Sequence, residues 1–131
     1  MKKLFLFFAF TFALTIIGVI FVQAQDQTGN GIEVIDAKLG TGVESRMITG
    51  EGESFAKDSQ VFFWMKIAGA ESREVTVTWK SGDFSHSTTL SIGGSPWRTW
   101  AFKTVHLTGD WTVSVATSDG TVLKEMGFKV E

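Results

Sequence analysis

Glu74-Val75-Thr76-Val77-Thr78-Trp79-Lys80 decides the fold. Val75, Val77 and Trp79 fall on one side; Thr76, Thr78 and Lys80 fall on the other. A period of two marks a half-buried strand, because successive side chains leave opposite faces of the pleat. Trp111, Val113 and Val115 alternate in the same way with Thr112, Ser114 and Ala116. Met126, Phe128 and Val130 alternate with Gly127, Lys129 and Glu131. Between these two runs lies Ser118-Asp119-Gly120-Thr121, and Asp-Gly flanked by alternating runs predicts a hairpin. The two runs should therefore pair antiparallel.

Working outward, Val61-Phe62-Phe63-Trp64-Met65-Lys66-Ile67 is apolar on both sides, as a central strand of a sandwich would be. Ile32 to Leu39 and Thr88 to Ile92 are further strand candidates. Gly69, Ser81-Gly82-Asp83 and Gly93-Gly94-Ser95-Pro96 punctuate them. Gly40 to Ser54 reads as a loop with room for a short strand at Arg46-Met47-Ile48, and Asp83 to Ser87 reads as a polar loop. Beyond the N-terminal apolar run, no segment keeps a helical period. The expected fold is all-β, an immunoglobulin-like antiparallel β-sandwich of about seven strands. Without cysteine it lacks the Cys-Trp-Cys pattern of antibody domains.

The front of the chain reads as an address. Met1-Lys2-Lys3 is a short basic start, Leu4 to Val22 is uncharged, and Val22-Gln23-Ala24 closes the run. This is the layout of a secretory signal peptide, residues 1–24, cleaved after Ala24. The alternative is an uncleaved anchor, since an apolar run of about 18 or more residues can span a bilayer. Lipoprotein processing needs a junction cysteine, and there is none. Residues 25–131 then form one β-sandwich domain, exported to the periplasm or the medium.

The formal net charge is −2 at pH 7. Loss of Lys2 and Lys3 with the leader makes the remainder more acidic. An acidic chain with scattered charges lacks the basic patch that nucleic acids and anionic membranes require, so neither is an expected partner. Membrane association is expected only if the leader is retained. Zero cysteines in an exported chain exclude a disulfide framework, so the core must stabilise the fold unaided. A domain of this size buries roughly 65% of its unfolded surface, which is enough. A monomer is expected.

A set of residues carries a family likeness. It runs from Trp79 and Gly82 through Leu90-Ser91-Ile92 to Trp97-Arg98-Thr99-Trp100 with Lys103. It continues with Gly109, Trp111, Val113, Gly120 and Leu123, and closes with Phe128-Lys129-Val130. In order and spacing they resemble the bacterial family named domain of unknown function 2914. The Val34-to-Val43 and Val61-to-Ile67 segments are similar to that family's opening strands. The resemblance implies no activity, substrate or catalytic residue. Members often carry a hydroxyl residue where this chain has Ala101.

The candidate site is Trp97, Arg98, Trp100 and Lys103. Trp97 and Trp100 are three apart, so on a strand they face opposite sides, and Arg98 shares the face of Trp100. One reading is architectural: one indole enters the core and Arg98 packs on a ring. The other is a platform on which a sugar or peptide stacks, with Arg98 and Lys103 adding polar contacts. The absence of Tyr weighs against the platform. Trp64, Trp79 and Trp111 are assigned to the core.

Catalytic signals are thin. His86 and His106 are the only histidines, no Gly-x-Ser-x-Gly elbow is present, and a transition-metal site would need carboxylates to complete it. Glu51, Glu53 and Asp58 lie in one loop region without the spacing of a glycosidase pair or a calcium loop. The expectation is a non-enzyme without cofactor or metal that binds a protein or envelope component. Carbohydrate or peptidoglycan binding through the Trp97/Trp100 region is the alternative. A small hydrolase using His86 ranks last.

Overall fold

Residues 31–131 are described by a computed structural model of the chain. The expected signal peptide, residues 1–24, lies outside them. Ten strands follow in order. They are β1 (Glu33–Gly40), β2 (Gly42–Glu44), β3 (Met47–Thr49), β4 (Ser54–Phe55), β5 (Gln60–Ala68), β6 (Arg73–Ser81), β7 (Phe84–Ile92), β8 (Trp97–Thr104), β9 (Gly109–Thr117) and β10 (Val122–Val130). The described residues contain no helix.

The alternation at Glu74–Lys80 becomes β6, with Val75, Val77 and Trp79 buried. It is sandwiched between β7 and β9 in a sheet ordered β4-β10-β9-β6-β7. A second sheet, ordered β1-β5-β8, faces it. Val61, Phe63, Met65 and Ile67 of β5 meet Val75, Val77 and Trp79 of β6, Trp111, Val113 and Val115 of β9, and Phe128 and Val130 of β10 in one core. The aromatic heart is built on Phe128, with Trp111 stacked at 5.9 Å and Trp79 edge-on at 6.1 Å. Edge-on and offset rings suit the aromatic quadrupole.

The predicted β9–β10 hairpin forms. Gly120 takes the positive φ of 95° that the turn needs, and β10 pairs antiparallel with β9. Asp119 ties the turn together: its carboxylate accepts from the hydroxyls of Thr117 and Thr121 and from the Thr121 N–H. Thr117 is buried, and these bonds satisfy its hydroxyl.

Two segments differ from expectation. Asp83 to Ser87 is not a polar loop. The turn is Gly82-Asp83 alone, with Gly82 at φ 59°, and β7 starts at Phe84. Glycine at the first central position fits a type II′ hairpin, whose twist matches that of the strands. Gly40 to Ser54 contains β2 and β3, a small hairpin of its own. Ser45 and Arg46 both take positive φ, 51° and 63°, as a type I′ turn requires. A non-glycine residue at such an angle costs about 1 kcal/mol or more, so the turn must be held from outside.

Candidate functional site

Strand β8 carries the sequence Trp97-Arg98-Thr99-Trp100 and runs along one edge of the β1-β5-β8 sheet. Its register on β5 places Ile67 opposite Trp97, Lys66 opposite Arg98, Trp64 opposite Trp100 and Phe62 opposite Phe102. Residues directly opposite in an antiparallel pair share a face. Ile67 points into the core, so Trp97, Thr99, Ala101 and Lys103 take the inner side. Arg98, Trp100 and Phe102 take the outer side.

The candidate residues therefore divide into pairs. Trp97 is half-buried against the core, with Gly93 and Gly94 beneath its ring. Lys103 reaches Phe84, its Nζ 5.1 Å from the ring centre, at the margin where β7 and β8 edge the two sheets. Arg98 and Trp100 look the other way. Four residues of one strand thus do not make one site.

What the outer side carries is a hairpin and a row of rings. The β2–β3 hairpin lies over part of the sheet. Trp64 is on this outer side, yet only 2% exposed, because the hairpin covers it. Its indole N–H donates to the Arg46 carbonyl at 2.8 Å. Trp64 is buried as expected, but under this cover and not in the core between the sheets. The Arg46 guanidinium sits 5.4 Å from the Trp97 ring and donates to the Arg98 carbonyl at 3.4 Å. Arg98 in turn reaches the Met47 sulfur at 3.3 Å. The cation over the indole is therefore Arg46, not Arg98. These contacts hold the strained Ser45–Arg46 turn in place. A cation over an indole contributes about 0.5–1 kcal/mol at an exposed site.

Beyond the hairpin the outer side is open. Phe62 and Phe102 stack at 5.2 Å, and Phe102 is 55% exposed. Trp100, half-buried, stands one row along the strands. Phe62, Trp100 and Phe102 form an aromatic ledge. Lys38, Lys66 and Arg98 flank it.

The other chemistry-bearing residues are dispersed. His86 lies on β7, 3.4 Å from the Thr88 hydroxyl. His106 pairs with Asp58 at 2.8 Å, both well exposed. Glu51 and Glu53 are exposed in the loop before β4. No cluster of three or more His, Asp or Glu side chains suited to a metal occurs among the described residues. A small apolar cavity of about 210 Å³ opens between Phe84, Lys103, His106, Leu107 and Trp111.

Residues 72–130 match the family model described as protein of unknown function (DUF2914). The crystal structure of the C-terminal domain of wzt is similar over 81% of this chain and 75% of that one, at 14% identity and a TM-score of 0.49. No curated protein matches the sequence.

The DUF2914 match runs through β6 to β10. It stops short of the opening strands, where the likeness was also expected. Trp97, Arg98, Trp100, Phe102 and Lys103 lie inside the DUF2914 segment. Phe62, Trp64, Lys66 and the β2–β3 hairpin lie outside it. Two residues of the aromatic ledge, Trp100 and Phe102, thus come from the matched segment and one, Phe62, from the strands before it. Sequence reasoning missed Phe62, Phe102 and Lys66. The signal for Phe62 was the apolar run of β5, whose second hydrophobic side serves the ledge and the hairpin, and that for Phe102 was its alternation with Trp100 on β8.

Proposed function

We propose that this chain is an exported, non-catalytic sandwich module of immunoglobulin-like type. It binds a protein or another envelope component through the outer side of β1-β5-β8. The observation that carries this reading is the aromatic ledge of Phe62, Trp100 and Phe102. The core has its own tryptophans, Trp79 and Trp111, and the hairpin has Trp64. The ledge serves neither. Aromatics grouped on one face and left partly open to solvent are more typical of interaction surfaces than of idle surface.

The immunoglobulin-like assignment is supported by strand order. Of the seven long strands, the first, second and fifth form one sheet. The seventh, sixth, third and fourth form the long part of the other. Export is supported by the Lys2-Lys3 start, the uncharged run and the Ala24 junction. The non-catalytic reading is supported by the separation of His86 and His106, each engaged at the surface with a different partner.

The test is co-sedimentation of the purified protein with an envelope preparation. Phe102→Ala and Trp100→Ala should lose retention while melting within a few degrees of the parent. Undiminished retention of both variants would overturn the assignment of the surface.

A further inference from the structure

We propose that the outer side of β1-β5-β8 takes an acidic saccharide. Its ring stacks on Trp100 and Phe102, and its carboxylate or phosphate is held between Lys66 and Arg98. This rests on the preceding reading that the ledge is the ligand surface, and names the chemistry of the ligand.

The argument starts from a cost in the sheet. The register sets Lys66 directly opposite Arg98. Like charges directly opposite on one face of an antiparallel pair are destabilising. One acid, Asp36, stands in the same row, so the row keeps an excess of positive charge. Lys66 is half-buried, and its ammonium makes no hydrogen bond or ion pair with any described residue. The side-chain contact of Arg98 is the Met47 thioether, a weak acceptor for a guanidinium with five donors. Asp36 is the acid nearest in register, opposite Lys66 on β1, but its carboxylate turns to Lys38 at 3.9 Å. Lys38, Lys66 and Arg98 thus share the single carboxylate of Asp36, and an anionic ligand would balance the excess.

The second element is position. The Lys66–Arg98 row is followed by Trp64–Trp100 and then by Phe62–Phe102. Rows on one face are spaced by two residues, about 6.6 Å. That is within the reach of a phosphate ester on the same pyranose ring or of an acid group on the next residue. A ring lying over Trp100 therefore brings such a group to the cations. Trp64 cannot serve as the platform, because the hairpin and Lys38, 6.0 Å from its ring, cover it.

The third element is sign. The chain as a whole is acidic, with net charge −2. Lys38, Arg46, Lys66 and Arg98 nevertheless gather around this one side, against Glu33, Asp36 and Glu44. The ledge is thus a cationic aromatic surface on an anionic molecule, which favours acidic ligands over neutral ones. Guanidinium and ammonium both bind carboxylate and phosphate, the guanidinium in bidentate fashion.

The experiment is calorimetric titration of the purified protein with three saccharides. Oligogalacturonate supplies a carboxylate, a phosphorylated mannan supplies a phosphate, and maltohexaose is neutral. At least one acidic saccharide should bind about tenfold tighter than maltohexaose, with an affinity that falls as salt rises. Which one binds distinguishes carboxylate from phosphate. Lys66→Gln, which breaks no hydrogen bond or ion pair of the ammonium, should abolish the preference. Trp100→Ala should weaken the acidic saccharide about tenfold or more. Equal binding of maltohexaose, or an unchanged preference in Lys66→Gln, overturns the proposal. So does inorganic phosphate alone competing as strongly as the saccharide. If no saccharide binds, the acidic-saccharide inference fails. The broader reading still stands in that case if envelope retention depends on Trp100, which would point to a protein partner. Retention independent of Trp100 and Phe102 sinks both.

Discussion

Trp79 and Trp111 are matched in size and burial, and both lie against Phe128, yet they differ by one bond. The Trp111 indole donates to the Leu107 carbonyl at 2.9 Å. The Trp79 indole nitrogen is buried without a partner among the described residues. An unsatisfied buried donor costs about 1–3 kcal/mol, whereas a typical internal hydrogen bond contributes about 0.5–1.5 kcal/mol net. Tryptophan to phenylalanine removes similar volume at both positions. Trp111→Phe should therefore destabilise by about 1–2 kcal/mol more than Trp79→Phe. Denaturant midpoints at equal slope measure the gap, and equal losses would show that the bond contributes nothing. Trp111→Ala is harsher, costing about 3–5 kcal/mol of the roughly 5–15 kcal/mol that stabilises a domain. It should be recovered insoluble or molten, and a soluble variant with the parental melting temperature would contradict the packing. Period-two alternation made Trp79 and Trp111 legible as core residues. It could not place Trp64, because burial on the outer side depends on a hairpin that passes over it.

At the scale of elements, the β2–β3 hairpin depends on close approach. A Cβ at Gly40 would come within 2.7 Å of the Ile48 side chain and clash with the Thr49 carbonyl. Gly40→Ala should lift the hairpin and wet Trp64. The readout is a red-shifted tryptophan emission with faster tryptic cleavage after Arg46. An unchanged spectrum and cleavage rate would show that the cover does not need this approach. The hairpin was legible only as a short strand at Arg46–Ile48. Its turn residues, Ser45 and Arg46, carry none of the Gly or Asn that usually announces a type I′ turn. The first half of β7 resembles a loop in sequence for a different reason. The facing sheet has three strands and leaves β7 overhanging, so Ser85, His86 and Ser87 stay exposed and show no apolar alternation. Edge strands under no cover need no hydrophobic period.

For the whole molecule, the all-β architecture and its antiparallel pairing were readable from β6, β9 and β10, where one face is buried and the other wet. The ledge was not, because it joins two strands far apart in sequence: Phe62 on β5 and Phe102 on β8 meet only through the register. The candidate quartet Trp97, Arg98, Trp100 and Lys103 divides between the two sides of the sheet. Alternation placed Arg98 with Trp100, while Trp97 and Lys103 belong to the inner side. The central claim is that the outer side of β1-β5-β8 is where this protein meets its ligand. The most direct measurement is an amide chemical-shift map of the isotope-labelled protein titrated with solubilised envelope glycans. Shifts should cluster at Phe62, Lys66, Arg98, Trp100 and Phe102. Shifts confined to the Ser- and Thr-rich outer side of the opposite sheet, at Thr78, Ser87 and Ser114, would contradict it.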